Sequence, residues 1–230
     1  MLEIRNINKS YGNLAVLRDV SLTVGEREIG TILGPSGAGK TTLLQIAGTL
    51  DPADSGQVLY DGVNVTGLSD RKLSDFRNRN IGFIFQFHQL LAEFTARENV
   101  ALPAMIGGMS RSKALKRADE LLDMMGLTDR SSHKPAELSG GERQRTAVAR
   151  ALVNNPRVIF ADEPTGSLDS RNRDDIQALF ARLRDELGQT FVIVTHDPTL
   201  ATIADRIVSM ADGRIIAIES NACIADDPLE

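Results

Sequence analysis

The sequence predicts an α/β fold in which a parallel-sheet core carries an N-terminal antiparallel β subdomain and an inserted helical subdomain. The N-terminal part alternates apolar and polar residues, as the strands of a half-exposed sheet do. Further along the chain, short buried strands alternate with helices, an order typical of a parallel sheet covered by helices. Between about residues 92 and 137 the pattern becomes helical only, which indicates an insertion into the α/β core.

Local patterns give the individual elements in order. We expect buried strands over residues 28–33, 81–85, 158–161 and 191–194, and an edge strand over residues 58–60 between two glycines. A helix follows the first buried strand, and another, with an apolar stripe from Ile176 to Leu187, ends at Gly188. In the helical insertion one clean stripe is formed by Ala114, Leu115, Ala118, Leu121, Leu122 and Met125.

Size and composition restrict the domain organisation and the partners. The 230 residues suffice for a single domain, which we predict over residues 1–219, with residues 220–230 as a C-terminal tail. The net charge of −5 and the short, mixed basic clusters argue against nucleic acid as a partner. The single cysteine, Cys223, fits a reducing compartment, and no signal peptide or membrane-spanning run is apparent. We therefore expect a cytoplasmic chain that only another chain would hold at a membrane.

A glycine-rich motif follows the first buried strand and opens a helix. It matches the phosphate-loop pattern G-x-x-x-x-G-K-[ST] and comprises Gly34, Pro35, Ser36, Gly37, Ala38, Gly39, Lys40 and Thr41, with Thr42 directly after it. The glycines let backbone N–H groups surround phosphate oxygens, and the helix N-terminus adds its dipole. Lys40 is expected to reach the β- and γ-phosphates and the Thr41 hydroxyl to bind Mg²⁺. The motif predicts that the chain binds ATP with Mg²⁺ and hydrolyses it.

Two carboxylates, Asp162 and Glu163, end the buried strand at residues 158–161. Downstream of a phosphate loop, Asp162 is expected to hold Mg²⁺ through its water shell, and Glu163 to polarise an attacking water. Such a positioned base contributes about 10²–10⁴-fold to a rate.

The sequence Leu138-Ser139-Gly140-Gly141-Glu142 decides which kind of phosphate-loop protein this is. Ser139 and Glu142 have the spacing of a capping box that opens a helix. The two glycines leave the backbone amides of the first turn bare, so that the helix start can bind an anion. An ordinary capped helix needs no such glycine pair, and we expect Ser139, Gly140, Gly141 and Glu142 to contact nucleotide.

This pentapeptide is the signature of ATP-binding-cassette (ABC) proteins, and the chain resembles that family from Leu2 to about Gly213. The resemblance implies a P-loop NTPase (RecA-like) core. It also implies that Gln86 touches Mg²⁺ and the attacking water, and that His196 contacts the γ-phosphate. Asp169, in Ser167-Leu168-Asp169, matches a loop that crosses the dimer interface. Tyr11 matches the aromatic residue that stacks on adenine, with ordinary packing of the ring as the alternative.

The family resemblance further implies a partner and a mechanism. Two copies of the chain meet head to tail, and each ATP lies between the phosphate loop of one copy and the signature helix of the other. Charge on the transferring phosphoryl group needs stabilisation from several sides, so a monomer is expected to hydrolyse ATP poorly.

Three classes of protein compete for this sequence: the energising subunit of a membrane system, a soluble ABC factor, and a phosphate-loop kinase or other transferase. The signature opposes a transferase. Soluble ABC factors usually carry two cassettes or a long coiled coil, and this chain has one phosphate loop and no heptad tract. The sequence therefore favours the membrane system.

The segment from Phe87 to Asn99, directly after Gln86, carries the finer resemblance. In ABC proteins it forms the groove that receives a helix of the membrane subunit. Its sequence is similar to that of the same segment in the ATPases that release lipoproteins from the inner membrane. Gln89, Ala92 and Ser167 stand where that group often has histidine, proline and asparagine, so macrolide or peptide exporters and cell-division complexes remain as alternatives.

Overall fold

The computed structural model describes residues 1–220, which form ten strands and six α-helices. They divide into two compact units, residues 1–68 with 181–220, and residues 69–180. None of the described helices has the length and apolarity that crossing a membrane would require. Cys223 and the predicted tail beyond residue 220 lie outside the described residues.

The first unit contains an antiparallel sheet near the N-terminus. Its strands are β1 (Leu2–Tyr11), β2 (Leu14–Val24), β4 (Ser55–Tyr60) and β5 (Val63–Asn64), in the order β2-β1-β4-β5. Leu2 and Ile4 of β1 are buried, as their alternation predicts, and Ile7 is buried after a shift in the register of β1 and β2. The edge position that we predicted for residues 58–60 is wrong, because β4 pairs with β1 on one side and β5 on the other. The two-residue β5 is too short to be detected as a strand from its sequence.

The first unit also contains parallel strands. β3 (Ile29–Leu33) pairs in parallel with both β8 (Thr190–Thr195) and β9 (Arg206–Ala211), and β10 (Arg214–Ser220) pairs antiparallel with β9. β8 is buried along its whole length, which explains its continuous apolar sequence. Helix α1 (Lys40–Ala47) follows β3 across the glycine-rich turn. The strands that we predicted over 28–33 and 191–194 are therefore confirmed.

The second unit pairs β6 (Ile81–Phe85) in parallel with β7 (Val158–Asp162), again as predicted. Its helices are α2 (Asp70–Asn80), α3 (Ala96–Ile106), α4 (Arg111–Met124) and α5 (Gly140–Leu152). Ala114, Ala118, Leu121 and Leu122 are buried on α4 and form the predicted stripe. Helix α6 (Ser170–Leu187) then leads along the chain back into the first unit. The boundaries of the helical insertion remain a prediction.

The segment between β6 and α3, residues 86–95, is irregular but firmly held. Asn99, a buried residue on α3, accepts a hydrogen bond from the Leu91 N–H at 2.8 Å and donates to the carbonyls of Leu91, Phe94 and Thr95 at 3.0–3.1 Å. The side-chain oxygen thus accepts from one backbone N–H of the irregular segment, and the two side-chain N–H groups are shared among three carbonyls, of which those of Leu91 and Thr95 also accept backbone hydrogen bonds.

Removing the Asn99 amide should loosen this segment and destabilise the second unit. Asn99→Ala removes a buried side chain and its hydrogen bonds with the Leu91 N–H and the Phe94 carbonyl, so we expect a loss of about 2 kcal/mol in the free energy of unfolding. Hydrogen exchange of the Leu91 amide should accelerate as well. Asn64→Ala, at an exposed position of β5, is the matched control and should leave that exchange unchanged. An Asn99→Ala protein with unaltered Leu91 exchange would contradict the assigned role.

Candidate active site

The phosphate loop runs from the end of β3 to the start of α1. Its N-cap residue is Gly39, whose φ is 95°, and no side chain caps the helix. A helix start without a capping side chain suits an anionic ligand, because the helix dipole is positive there. Pro35, Ser36 and Gly37 are exposed, and Gly37 also has a positive φ, 82°. The positive end of a helix dipole thus meets an exposed glycine-rich loop, as an anion site requires.

Two glycines of the loop are required by close backbone packing. A Cβ on Gly34 would lie 2.1 Å from the Met210 carbonyl oxygen of β9. A Cβ on Gly39 would lie 2.9 Å from the Val16 carbonyl oxygen of β2. Because these obstacles are backbone atoms, they cannot move aside, and the loop path is fixed by strands on both sides.

Lys40 is buried, and its ammonium group lies over the loop. Nζ donates to the carbonyl oxygens of Gly34 at 2.8 Å and Pro35 at 3.0 Å. The lysine charge is thus held at the loop that we expect to bind phosphate.

His196 lies at the same edge of the sheet as the phosphate loop. β3 and β8 are parallel neighbours, and Leu33 pairs with Thr195. Gly34 directly follows Leu33 and His196 directly follows Thr195, so both lie at the same end of this strand pair. His196 is exposed. The first unit therefore brings together the phosphate loop and the predicted γ-phosphate sensor.

Tyr11 is half exposed and its ring is fixed from several directions. Its hydroxyl donates to Asp51 Oδ2 at 2.5 Å, and the Lys9 ammonium lies 5.0 Å from the ring centroid. The hydrogen bond to Asp51 raises the pKa of Tyr11, and a hydrogen bond with the Thr42 side chain opposes this rise. The contact with Thr42 places Tyr11 beside the start of α1, where an adenine platform would lie. Stacking itself stays a prediction.

The second unit brings together Gln86 and the strand-end carboxylates. β6 and β7 are parallel neighbours, and Phe85 pairs with Asp162. Gln86 directly follows Phe85 and Glu163 directly follows Asp162, so both lie at the same end of this strand pair. Glu163 adopts a left-handed φ of 46°. A Cβ on the neighbouring Gly166 would lie 3.2 Å from Gln86 Nε2 and 3.6 Å from Glu163 Cβ, so both side chains border the same small space.

The signature helix α5 begins with the predicted capping box. Ser139 Oγ accepts from the Glu142 N–H at 3.2 Å, and Glu142 Oε2 accepts from the Ser139 N–H at 2.7 Å. The backbone hydrogen bond from Ser139 is the main cause that lowers the pKa of Glu142 to about 2, and Arg130 acts in the same direction. Glu142 is therefore ionised throughout the physiological range.

The loop after β7 packs against the start of α5. A Cβ on Gly140 would lie 3.7 Å from Leu168, and one on Gly141 would lie 2.1 Å from Asn172 Oδ1. Asp169 accepts from the Asn172 backbone N–H at 2.9 Å and side-chain amide at 2.8 Å. A side chain on Gly141 would displace the Asn172 side chain at the start of the next helix, whereas Gly140 has room for a side chain.

Several residues beside these motifs were not predicted from the sequence. Asp51 fixes Tyr11, Arg130 Nε donates to Glu142 Oε1 at 2.9 Å, and Arg150 donates to the carbonyls of His88 and Gln89 at 2.8 and 2.6 Å. His88 and Gln89 have positive φ angles of 61° and 48°, so Arg150 holds a strained turn. These partners are distant in sequence and form no motif with the residues they hold.

The atoms that we expect to bind a metal ion are of the kind that Mg²⁺ prefers. Thr41, Gln86 and Asp162 offer hydroxyl, amide and carboxylate oxygens, which are the hard ligands that Mg²⁺ prefers. Among residues 1–220 no group of three or more His, Cys, Asp or Glu side chains could hold a metal by itself. That these three residues bind Mg²⁺ stays a prediction.

Comparison with known proteins agrees with this geometry. A family model described as ABC transporter matches residues 17–166. The lipoprotein-releasing system ATP-binding protein LolD of Bacteroides thetaiotaomicron is 61% identical over 94% of this chain and 99% of its own length. The LolD protein of Bacteroides fragilis is 58% identical over 94% of this chain and 100% of its own.

The fold has close counterparts among solved structures. A dimeric ATP-binding cassette in a post-hydrolysis state, bound to ADP and Pi, matches with a TM-score of 0.88 and 41% identity, over 96% of this chain and 98% of the other. The family model matches more than half of the chain, the sequence relatives and the solved structure match nearly its whole length, and the chain belongs to the ABC transporter family.

Proposed function

We propose that this chain is the ATP-binding and ATP-hydrolysing subunit of a membrane complex that releases lipoproteins. The observation that carries the ATPase proposal is the phosphate loop, which leads into α1 without a side-chain cap and has the Lys40 ammonium held over it. Identity of 61% over 94% of the chain to a lipoprotein-releasing ATP-binding protein supports the cargo class. The bare loop binds the phosphates, and Lys40 neutralises the β- and γ-phosphate charge.

The remaining site residues take distinct roles in hydrolysis. Glu163 polarises the attacking water, Gln86 orients it, and His196 contacts the γ-phosphate. Thr41, Gln86 and Asp162 hold Mg²⁺, which supplies charge stabilisation to the phosphoryl group when it is bound. Tyr11 stacks on adenine, supported by a ring that Asp51 and Lys9 fix beside α1.

A second copy of the chain completes the site. The bare start of α5 is a second anion site, and in the proposed head-to-tail dimer it meets the nucleotide bound to the phosphate loop of the other copy. The dimeric state of a cassette 41% identical to this chain supports this assembly. Asp169, in the loop packed against α5, lies at the dimer interface in this proposal.

The segment from Phe87 to Asn99 provides the docking surface for the membrane subunits. Phe87 is 76% exposed, Leu91 42% and Phe94 39%, so three large apolar side chains face solvent within eight residues. Such a patch marks an interaction surface, and Asn99 and Arg150 hold its backbone in place. The chain accordingly works as a cytoplasmic subunit held at the inner membrane by its partners, with no nucleic acid involved.

Substitution of the proposed base tests hydrolysis and dimerisation together. Glu163→Gln should bind ATP but lose turnover by about 10²–10⁴-fold, because an amide does not activate water. The trapped ATP should then hold two chains together, which gel filtration with and without MgATP would detect. Glu186→Gln on α6 is the matched control and should keep its turnover. No MgATP-dependent increase in mass for Glu163→Gln would count against the dimer.

The docking surface is tested by making it polar. Leu91→Ser together with Phe94→Ser should leave a folded protein with near-normal basal ATPase, because both side chains already face solvent. The variant should no longer co-purify with its membrane subunits, and lipoproteins should accumulate in the inner membrane. Leu187→Ser, at a position 50% exposed on α6, is the control and should assemble normally. Normal assembly and release by the double variant would contradict both the docking site and the lipoprotein assignment.

A further inference from the structure

The signature helix carries a negative charge where it is proposed to bind a negative ligand. Glu142 occupies the third position of α5, and its pKa of about 2, set mainly by the Ser139 backbone N–H, keeps it ionised at any physiological pH. The proposed phosphate contacts are the backbone amides of the same helical turn. Like charges this close repel each other, and the repulsion is screened only over about 8 Å at physiological ionic strength.

The capping box does not require this charge. A glutamine at the third position also reaches back to the N-cap N–H, so the cap would form without a carboxylate. The ionised Glu142 interacts favourably with the helix dipole, but it also weakens an anion site, and the cap itself could form with a neutral side chain.

Arg130 lies where it can cancel this charge. It belongs to a 3-10 turn, Thr128–Arg130, that precedes the signature, and its Nε donates to Glu142 Oε1 at 2.9 Å while Oε2 is held by Ser139 at 2.7 Å. The Arg130 side chain is 45% exposed and that of Glu142 is 19% exposed. A half-exposed ion pair of this kind contributes little to folding stability, so its main consequence is the local potential.

We propose that Arg130 is a positioning residue for catalysis, which offsets the Glu142 carboxylate and thereby keeps the start of α5 attractive to the phosphates of ATP. This inference rests on the proposed function, since it assumes that α5 meets nucleotide. Arg130 acts through Glu142 and needs no contact with ATP itself. Its effect is therefore conditional on the charge at position 142.

That condition gives a double-variant test. Arg130→Met removes the guanidinium and keeps an apolar side chain of similar length. We expect kcat/KM for ATP to fall about tenfold in this variant. Glu142→Gln alone should raise kcat/KM about twofold, because the Arg130 charge then stands unopposed. In Arg130→Met with Glu142→Gln, kcat/KM should recover at least about fivefold relative to Arg130→Met.

Ionic strength separates an electrostatic role from a structural one. The deficit of Arg130→Met should shrink as salt rises from about 0.05 to about 0.5 M, because screening weakens the repulsion from Glu142. Arg117→Met is the matched control, since Arg117 on α4 also forms a surface ion pair, with Glu120 at 3.3 Å. It should leave kcat/KM and its salt dependence unchanged.

Four results would overturn the proposal. A double variant as impaired as Arg130→Met would assign Arg130 to direct phosphate contact or to structure. A deficit independent of salt, or a large drop in the melting temperature of Arg130→Met, would indicate a structural role. An Arg130→Met protein with unaltered kcat/KM would show that the Glu142 charge does not affect the reaction of ATP at the start of α5. Failure of the proposed function is distinguishable, because the wild-type chain would then show no ATPase activity.

Discussion

Glycines at the starts of two helices are the constraint on which the functional structure depends. A helix start binds phosphate through its backbone where no side chain covers it, and both α1 and α5 have glycine there. At α1 the helix has no side-chain cap. At α5 the Ser139–Glu142 capping box satisfies two donors, and Gly140 leaves the remaining surface open.

The residues around these glycines pack closely against them. Gly34 and Gly39 lie against carbonyl oxygens of Met210 and Val16, and Gly141 lies against the Asn172 side chain. A substitution there would move the loop or helix start away from its support. Parallel strand pairing then places the chemical groups: Leu33 opposite Thr195 brings His196 level with the phosphate loop, and Phe85 opposite Asp162 brings Gln86 level with Glu163. Register, and not sequence distance, decides which side chains meet.

Most of the fold and the motif residues could be predicted because their signals are local. Buried strands are continuous apolar runs, and the phosphate loop and capping box have fixed spacings. Side-chain partners have no such signal: Asp51 is 40 residues from Tyr11, and Arg150 is 61 from Gln89. The inner position of β4 escaped prediction because it depends on a two-residue partner, β5. Contacts of this kind depend on the folded path of the chain and cannot be predicted from any short segment of the sequence.

If one ATP is hydrolysed between the phosphate loop of one chain and the signature helix of another, two differently inactivated chains should restore each other's activity. Lys40→Ala and Gly140→Asp chains make this test possible, because Lys40 faces the phosphate loop and Gly140 has room for a side chain. Each variant alone should be inactive. In an equimolar mixture about half of the dimers pair the two variants, and each such dimer has one intact site, so the rate should recover to about a quarter of wild type. A mixture no more active than its separate components would contradict the shared site.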